Sequence, residues 1–208
     1  MALQTWLAFV AASTILLLIP GPTILLVVSY ALGQGRRVAL PMAIGVGLGD
    51  LTAMGASMLG LGALLATSAT AYTALRWTGA AYLVVLGVRL WRAGGAFAVR
   101  PTRGRAQPIR MLGHAWLTTA LNPKSITFFV AFLPQFIDPG RPYGAQMAIF
   151  LATFVALALA NAFAYALAAS SAGAAVRDPR LVRALHRSGG ALLIGAGLFA
   201  LLARSQPR

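Results

Sequence analysis

Two apolar segments of this chain are interrupted by proline at matching places in its two halves. The interruptions are the triplets Pro20, Gly21, Pro22 and Asn122, Pro123, Lys124. Proline within a helix frees backbone groups that lipid cannot satisfy, so a broken membrane helix persists only where it faces protein or a water-filled cavity. A matched pair of such breaks is typical of the central binding site of a membrane transporter. The sequence therefore predicts a polar site between the two breaks.

The composition is that of an integral membrane protein. Of the 208 residues, 59% are hydrophobic and only 10% are charged, which is too apolar for an ordinary soluble domain. Crossing a hydrocarbon core takes roughly 20 helical residues, and six stretches reach or approach that length. They cover roughly residues 3–32, 38–65, 72–91, 111–134, 144–171 and 188–203. We predict an all-α integral membrane fold of six transmembrane helices, with helices 1 and 4 broken at proline.

The net charge of +14 is concentrated in alternate loops between these stretches. Binding of nucleic acid would need a basic face on a water-soluble fold, so we expect contact with membrane lipids and no nucleic acid. Because cytoplasmic loops collect Lys and Arg, the loops after spans 1, 3 and 5 are expected inside the cell and both termini outside. If the short last span fails to cross, the C-terminus lies inside. The first span lacks signal-peptide features and is expected to be retained.

The two halves of the chain resemble each other weakly. The offset that aligns Gly79 with Gly189 also aligns Ala81 with Ala191 and Gly87 with Gly197. Since each half has three spans, the second half must cross the membrane in the opposite sense to the first. We therefore expect one transmembrane domain over residues 1–208, built from inverted repeats at about 1–91 and 111–203. A cytoplasmic linker at about 92–110 joins them.

Each break has the sequence of a helix start. Gly21 and Asn122 are residues that cap helices, and each is followed by a proline, which favours the first helical position. We expect new half-helices from residue 23 to 32 and from 124 to about 133, whose free amides would stabilise a carboxylate. The alternative is a plain proline kink satisfied by neighbouring helices.

Three polar residues stand out within the predicted spans. Asp50 is the only acid there, and a charge at that depth costs about 3 kcal/mol on insertion scales. It could pair with a substrate ammonium, take and release a proton, bridge to Lys124 as a gate, or form a static ion pair. Lys124, the sole lysine, is expected to face the interior rather than extend to the membrane surface. Asn161, near the position matching Asp50, either contacts substrate or only joins helices.

Small residues recur around Asp50 at helical spacing and predict close helix packing. They are Gly45, Gly49, Ala53, Ala56 and Gly60. The absence of cysteine excludes disulfides and thiolate sites, and no residue spacing suggests a metal site or a catalytic triad, so no cofactor is expected.

At several separated motifs the sequence resembles the LysE/RhtB family of bacterial amino-acid exporters, over essentially all six spans. The motifs are Pro20-Gly21-Pro22 with Gly33, Gly35 and Arg36; Gly45, Gly47, Gly49 and Asp50; Gly79 to Leu83 with Gly87 and Arg89; and Asn122-Pro123-Lys124 with Phe128, Phe129, Phe132, Pro134, Gln135 and Phe136. Thr23 stands where many relatives carry Asn, and Arg76 where a Lys is frequent. The resemblance implies export of a small amino acid or derivative across the inner membrane, driven by protons.

These inferences combine into one hypothesis, in which a zwitterionic amino acid sits between the breaks. Its carboxylate would face a half-helix N-terminus and Lys124, its ammonium would face Asp50, and protonation of Asp50 would couple export to the proton gradient. A membrane-embedded enzyme and a passive channel are the alternatives, and a homo-oligomer is compatible with the sequence. The candidate substrate-binding residues are Pro20, Gly21, Pro22, Thr23, Asp50, Asn122, Pro123, Lys124 and Asn161.

Overall fold

The computed structural model describes residues 2–92, 101–102, 104, 106–138, 140–176 and 178–202. Within these ranges the chain forms α-helices and two short 3-10 helices, and no strand. The α-helices are α1 (Leu3–Leu18), α2 (Pro22–Gln34), α3 (Ala39–Thr67), α4 (Ala69–Arg92), α5 (Pro108–Ala120), α6 (Pro123–Phe132), α7 (Tyr143–Val176) and α8 (Pro179–Leu202). Most of the predicted linker lies outside the described residues.

The predicted helix breaks are present at residues 19–21 and 121–122. Gly21 caps α2 and Asn122 caps α6, and in each case a proline follows in the first turn. The Asn122 side chain accepts a hydrogen bond of 3.0 Å from the amide of Lys124. The prediction of two new helix starts is therefore confirmed.

Helical runs occur at all the predicted spans. Two continuous helical segments are long and apolar enough to cross a membrane: Pro22–Leu64, which joins α2 to most of α3 through a 3-10 turn, and Tyr143–Ser171 within α7. Leu3–Leu18 is a shorter apolar helix. The last helix extends beyond the apolar stretch predicted from about residue 188, because α8 begins at Pro179. The carboxylate of Asp178 accepts a hydrogen bond of 2.8 Å from the amide of Arg180 and so begins the helix earlier.

Helix α3 packs tightly against α5 through glycine. A Cβ on Gly49 would lie 2.5 Å from the Cβ of Thr119 and 2.8 Å from the Trp116 carbonyl oxygen, so no side chain fits there. This agrees with the packing role predicted for Gly49. The same prediction is wrong for Gly60, which is exposed and where an added Cβ would have no neighbour within 4 Å.

Helices α4 and α8 also approach each other through glycines. The close neighbours are Gly190 and Ile194 for Gly87, and Ala80 and Val84 for Gly197. Each glycine faces a backbone oxygen, at 2.6 Å and 2.7 Å respectively from where its Cβ would lie. The offset that aligns Gly87 with Gly197 also pairs Ala80 with Gly190 and Val84 with Ile194. The offset that relates the two halves in sequence therefore also relates these contacts.

An aromatic cluster fixes the second half-helix, α6, in the core. Phe128 and Phe129 are fully buried, and the ring centroids of Phe129 and Phe154 on α7 are 4.9 Å apart in an edge-to-face arrangement. Such pairs add about 0.5–1.5 kcal/mol beyond the burial of their area. The middle of α6 is thus held against α7.

Candidate functional site between the helix breaks

A small polar cavity lies between the two breaks. Both broken segments line it, together with α3 and α7. Its free volume is about 30 Å³, which is room for one or two water molecules. An amino acid would enter only after the surrounding helices had separated. The polar lining residues are Thr23, Asp50, Thr119, Asn122, Lys124, Ser125 and Asn161.

Six of the nine candidate residues line this cavity. They are Gly21, Thr23, Asp50, Asn122, Lys124 and Asn161. The remaining three, Pro20, Pro22 and Pro123, are not among the lining residues. Pro20 lies in the turn, and Pro22 and Pro123 take the first position of a half-helix. Sequence reasoning missed Thr119 and Ser125. Both lie within three residues of Asn122, and a search for hydroxyl groups flanking the break would have found them.

Asp50 is buried in this cavity without a close partner. Its side chain is only 2% exposed, and its Oδ1 atom has no hydrogen-bond partner. In the described part of the chain, no ion pair within 4.0 Å involves Asp50, whereas Arg141 and Asp138 form one at the surface. The static ion pair and the direct bridge to Lys124, both considered for Asp50, are therefore not formed in this conformation.

The ammonium group of Lys124 binds the C-terminal end of α1. Nζ donates hydrogen bonds to the carbonyl oxygens of Leu16, at 2.9 Å, and of Ile19. The prediction that this lysine faces the interior is confirmed. A helix ends in carbonyls without intrahelical partners and carries a partial negative charge there, which favours a cation.

Two side chains of α7 satisfy the other carbonyls at the end of α1. The amide of Asn161 donates to the Leu17 carbonyl at 3.0 Å, and the hydroxyl of Tyr165 donates to the Leu18 carbonyl at 2.8 Å. Asn161 therefore joins helices and also lines the cavity, and its contact with substrate stays a prediction. Tyr165 was missed, because its sequence position gives no sign that it faces the break.

A hydrogen-bond network joins the two breaks through Thr23. The Asn122 amide oxygen already accepts from the Lys124 amide, so its nitrogen is the donor to the Thr23 hydroxyl, at 3.1 Å. The Thr119 hydroxyl donates to the same oxygen at 3.2 Å. A hydroxyl has two acceptor positions and one proton. With both acceptor positions used, Thr23 keeps its proton for an acceptor in the cavity.

No group of three or more His, Cys, Asp and Glu in the described ranges could hold a metal ion. The lining residues of the cavity offer a carboxylate, an ammonium, hydroxyls and amides for binding by hydrogen bonds and charge. These groups suit a small polar molecule that carries charges of both signs.

The family profile for the LysE type translocator matches residues 14–204. An uncharacterized membrane protein of Vibrio cholerae is 33% identical over 99% of this chain and all of its own length. The homoserine/homoserine lactone efflux protein of Salmonella typhimurium is 34% identical over 99% of both chains, and a leucine efflux protein of Salmonella choleraesuis is 30% identical over 73% of this chain and 71% of its own. No solved structure matches. The chain belongs to the LysE type translocator family, as its motifs indicate.

Proposed function

We propose that this translocator exports a small neutral amino acid or amino-acid derivative across the bacterial inner membrane in exchange for protons. The observation that carries the proposal is the cavity between the breaks, where the buried Asp50 carboxylate and the Lys124 ammonium lie without pairing. A zwitterion placed between them would give each charge an opposite partner.

The substrate would bind by its two charged groups. Its carboxylate would face Lys124 and the free amides at the start of α6, and its ammonium would face Asp50. The Thr23 proton and the Ser125 hydroxyl are further donors for the carboxylate.

The charge balance of the cavity favours a neutral side chain on the substrate. Asp50 and Lys124 are its charged lining residues, one of each sign, and both are used by the α-ammonium and α-carboxylate. A lysine or glutamate side chain would bring a third charge into the site without a partner, which is costly in the membrane interior. The relatives named for homoserine and leucine efflux fit this preference.

Coupling to protons would operate through Asp50. On the outer side, where protons are more concentrated, protonation removes the charge that holds the substrate ammonium, so the substrate leaves. The protonated site then returns inward, loses its proton to the cytoplasm and binds the next substrate. Each cycle moves one substrate out and one proton in through this group.

Alternating access would arise from six transmembrane helices in two inverted repeats, with both termini outside. The contacts of Gly87 and Gly197, which the offset between the two halves relates, support this arrangement. So do the two breaks, which face one cavity from both halves of the chain. Rocking of one half against the other would open this cavity to each side in turn.

Uptake of radiolabelled substrates into inverted membrane vesicles tests this function. Energised vesicles acidify inside, so a proton antiporter should concentrate homoserine or leucine there and should discriminate against lysine and glutamate. Asp50→Asn should abolish the response of uptake to the proton gradient. Asp138→Asn, at an exposed acid paired with Arg141, is the matched control and should behave as the wild type.

Three results would count against the proposal. Undiminished proton-driven uptake by Asp50→Asn would remove Asp50 from the coupling step. Equilibration without accumulation would indicate a passive channel. A chemically altered product in the vesicles would indicate an enzyme.

A further inference from the structure

We infer that the C-terminal end of α1 is a binding site for a small monovalent cation, and that Lys124 occupies this site from within the chain. The ligand chemistry is that of a primary ammonium or an alkali ion. The inference concerns a site on the backbone of the first break and holds whatever the protein transports.

The geometry of the first break is that of a cation site. The carbonyls of Leu16 and Ile19 converge on one point, which the Lys124 Nζ atom occupies. At the break the Leu16 carbonyl keeps only a shared bond of 3.2 Å from the Ile19 amide, which also bonds to Ile15, and the Ile19 carbonyl lies beyond the helix. The partial negative charge of a helix end is added to theirs. Carbonyls of unwound membrane helices bind Na⁺ by the same means.

The carbonyls of Leu17 and Leu18 have neutral hydrogen-bond partners, and this distinguishes the position bound by Lys124 from the rest of the helix end. Leu17 and Leu18 accept from Asn161 and Tyr165. The position between Leu16 and Ile19 is the one where a full positive charge is bound. It therefore has the character of an ion site rather than of a general helix cap.

A second observation points to a cation in this cavity. Asp50 is buried, and its Oδ1 atom has no hydrogen-bond partner. The carboxylate balances one positive charge without contacting it, as required if the cation is held by carbonyls. When Lys124 is shortened, the cavity keeps both the carbonyls and the negative charge but loses the tethered cation.

Two substitutions at residue 124 separate charge from volume. Lys124→Ala removes the ammonium and opens space for a free ion, whereas Lys124→Met removes the ammonium but fills the space with an unbranched chain. Thermal unfolding of the purified protein in detergent is followed in NaCl, methylammonium chloride or choline chloride at equal ionic strength. Choline is too large for the site and controls for salt effects.

The expected result is a saturable rise in Tm of at least about 2 °C for Lys124→Ala in NaCl or methylammonium chloride. Choline should give no such rise, and neither the wild type nor Lys124→Met should respond. The more effective salt identifies the ligand as an alkali ion or an ammonium.

An unresponsive Lys124→Ala protein would overturn the inference, and so would an equal response from Lys124→Met. Failure of Lys124→Ala to fold in every salt would also contradict it, because a free cation should replace the tethered one. Since no transport is measured, these results are independent of the proposed function.

Discussion

The side chain of Lys124 lies across Gly21, with its Cδ atom 3.1 Å from where a Cβ on that glycine would be. The backbone of Gly21 is extended, with φ −124°, so its conformation does not demand glycine. The close approach of the lysine restricts residue 21 to a small side chain. The first break thus provides the carbonyls that bind the lysine of the second break, and also the gap through which that lysine reaches them.

Enlarging residue 21 should displace the lysine. Gly21→Ala requires a shift of a few tenths of an ångström, so we expect export near the wild-type rate. Gly21→Val adds two methyl groups in the path of the lysine stem and would disturb two charge-assisted hydrogen bonds, each worth about 1.5–3 kcal/mol. Export measured in inverted vesicles should then fall by about 10-fold or more.

Gly60→Val, at a glycine in open space, is the control. Equal export by both Gly21 variants would show that the lysine does not need this path.

Thr23 should couple the two breaks through its hydroxyl oxygen. Thr23→Val keeps the shape of the side chain but leaves Asn122 and Thr119 without their shared acceptor, and both are buried. We expect a loss of unfolding free energy of about 1 kcal/mol, from hydrogen bonds worth about 0.6 kcal/mol each in membrane proteins. Thr23→Ser should retain both stability and export. Thr78→Val, at an exposed threonine bonded to its own helix, sets the baseline for denaturation measurements. A Thr23→Val protein indistinguishable from this baseline would contradict the role.

The sequence was sufficient to locate the helices and the breaks, because proline and apolar length act locally. Gly21 and Asn122 were predicted as helix caps from the residues that follow them, and both cap helices in the structure. Asp50 and Lys124 were predicted as interior groups from the cost of charge in a membrane, and both line the cavity.

The partners of these groups could not be predicted in the same way. That Lys124 binds the end of α1 rather than Asp50 depends on how far apart α3 and α6 lie, which no local pattern encodes. Tyr165 reaches the Leu18 carbonyl only because α7 passes the first break at that height. Since tyrosine is also common at membrane surfaces, its sequence position gave no signal.

Two glycines of α3 should respond in opposite ways to alanine. A Cβ on Gly49 would lie within 3 Å of Thr119 and Trp116, whereas one on Gly55 would have no neighbour within 4 Å. We expect Gly49→Ala to destabilise the protein by about 1–3 kcal/mol through overpacking. Gly55→Ala should be neutral or stabilising by up to about 1 kcal/mol, because alanine favours the helix. Chemical denaturation of the purified variants measures both. Similar stabilities for the two would mean that α3 does not pack closely on α5.

The contacts between α4 and α8 allow a test of the inverted repeats by paired substitution. Gly87 and Gly197 face the backbone of the opposite helix at nearly equal distances, 2.6 Å and 2.7 Å from a Cβ to the carbonyl oxygen. If the two halves are related by a two-fold axis, Gly87→Ala and Gly197→Ala should destabilise the protein by similar amounts, about 1–3 kcal/mol each. Gly195→Ala, on the same helix as Gly197 but with open space around it, should not.

The double variant should lose less stability than the sum of the two single losses, because the first substitution already separates the helices that the second would push apart. A large loss from one glycine and none from the other would show that the two contacts are not equivalent. The match between the two halves of the sequence would then reflect only the frequency of small residues in apolar helices.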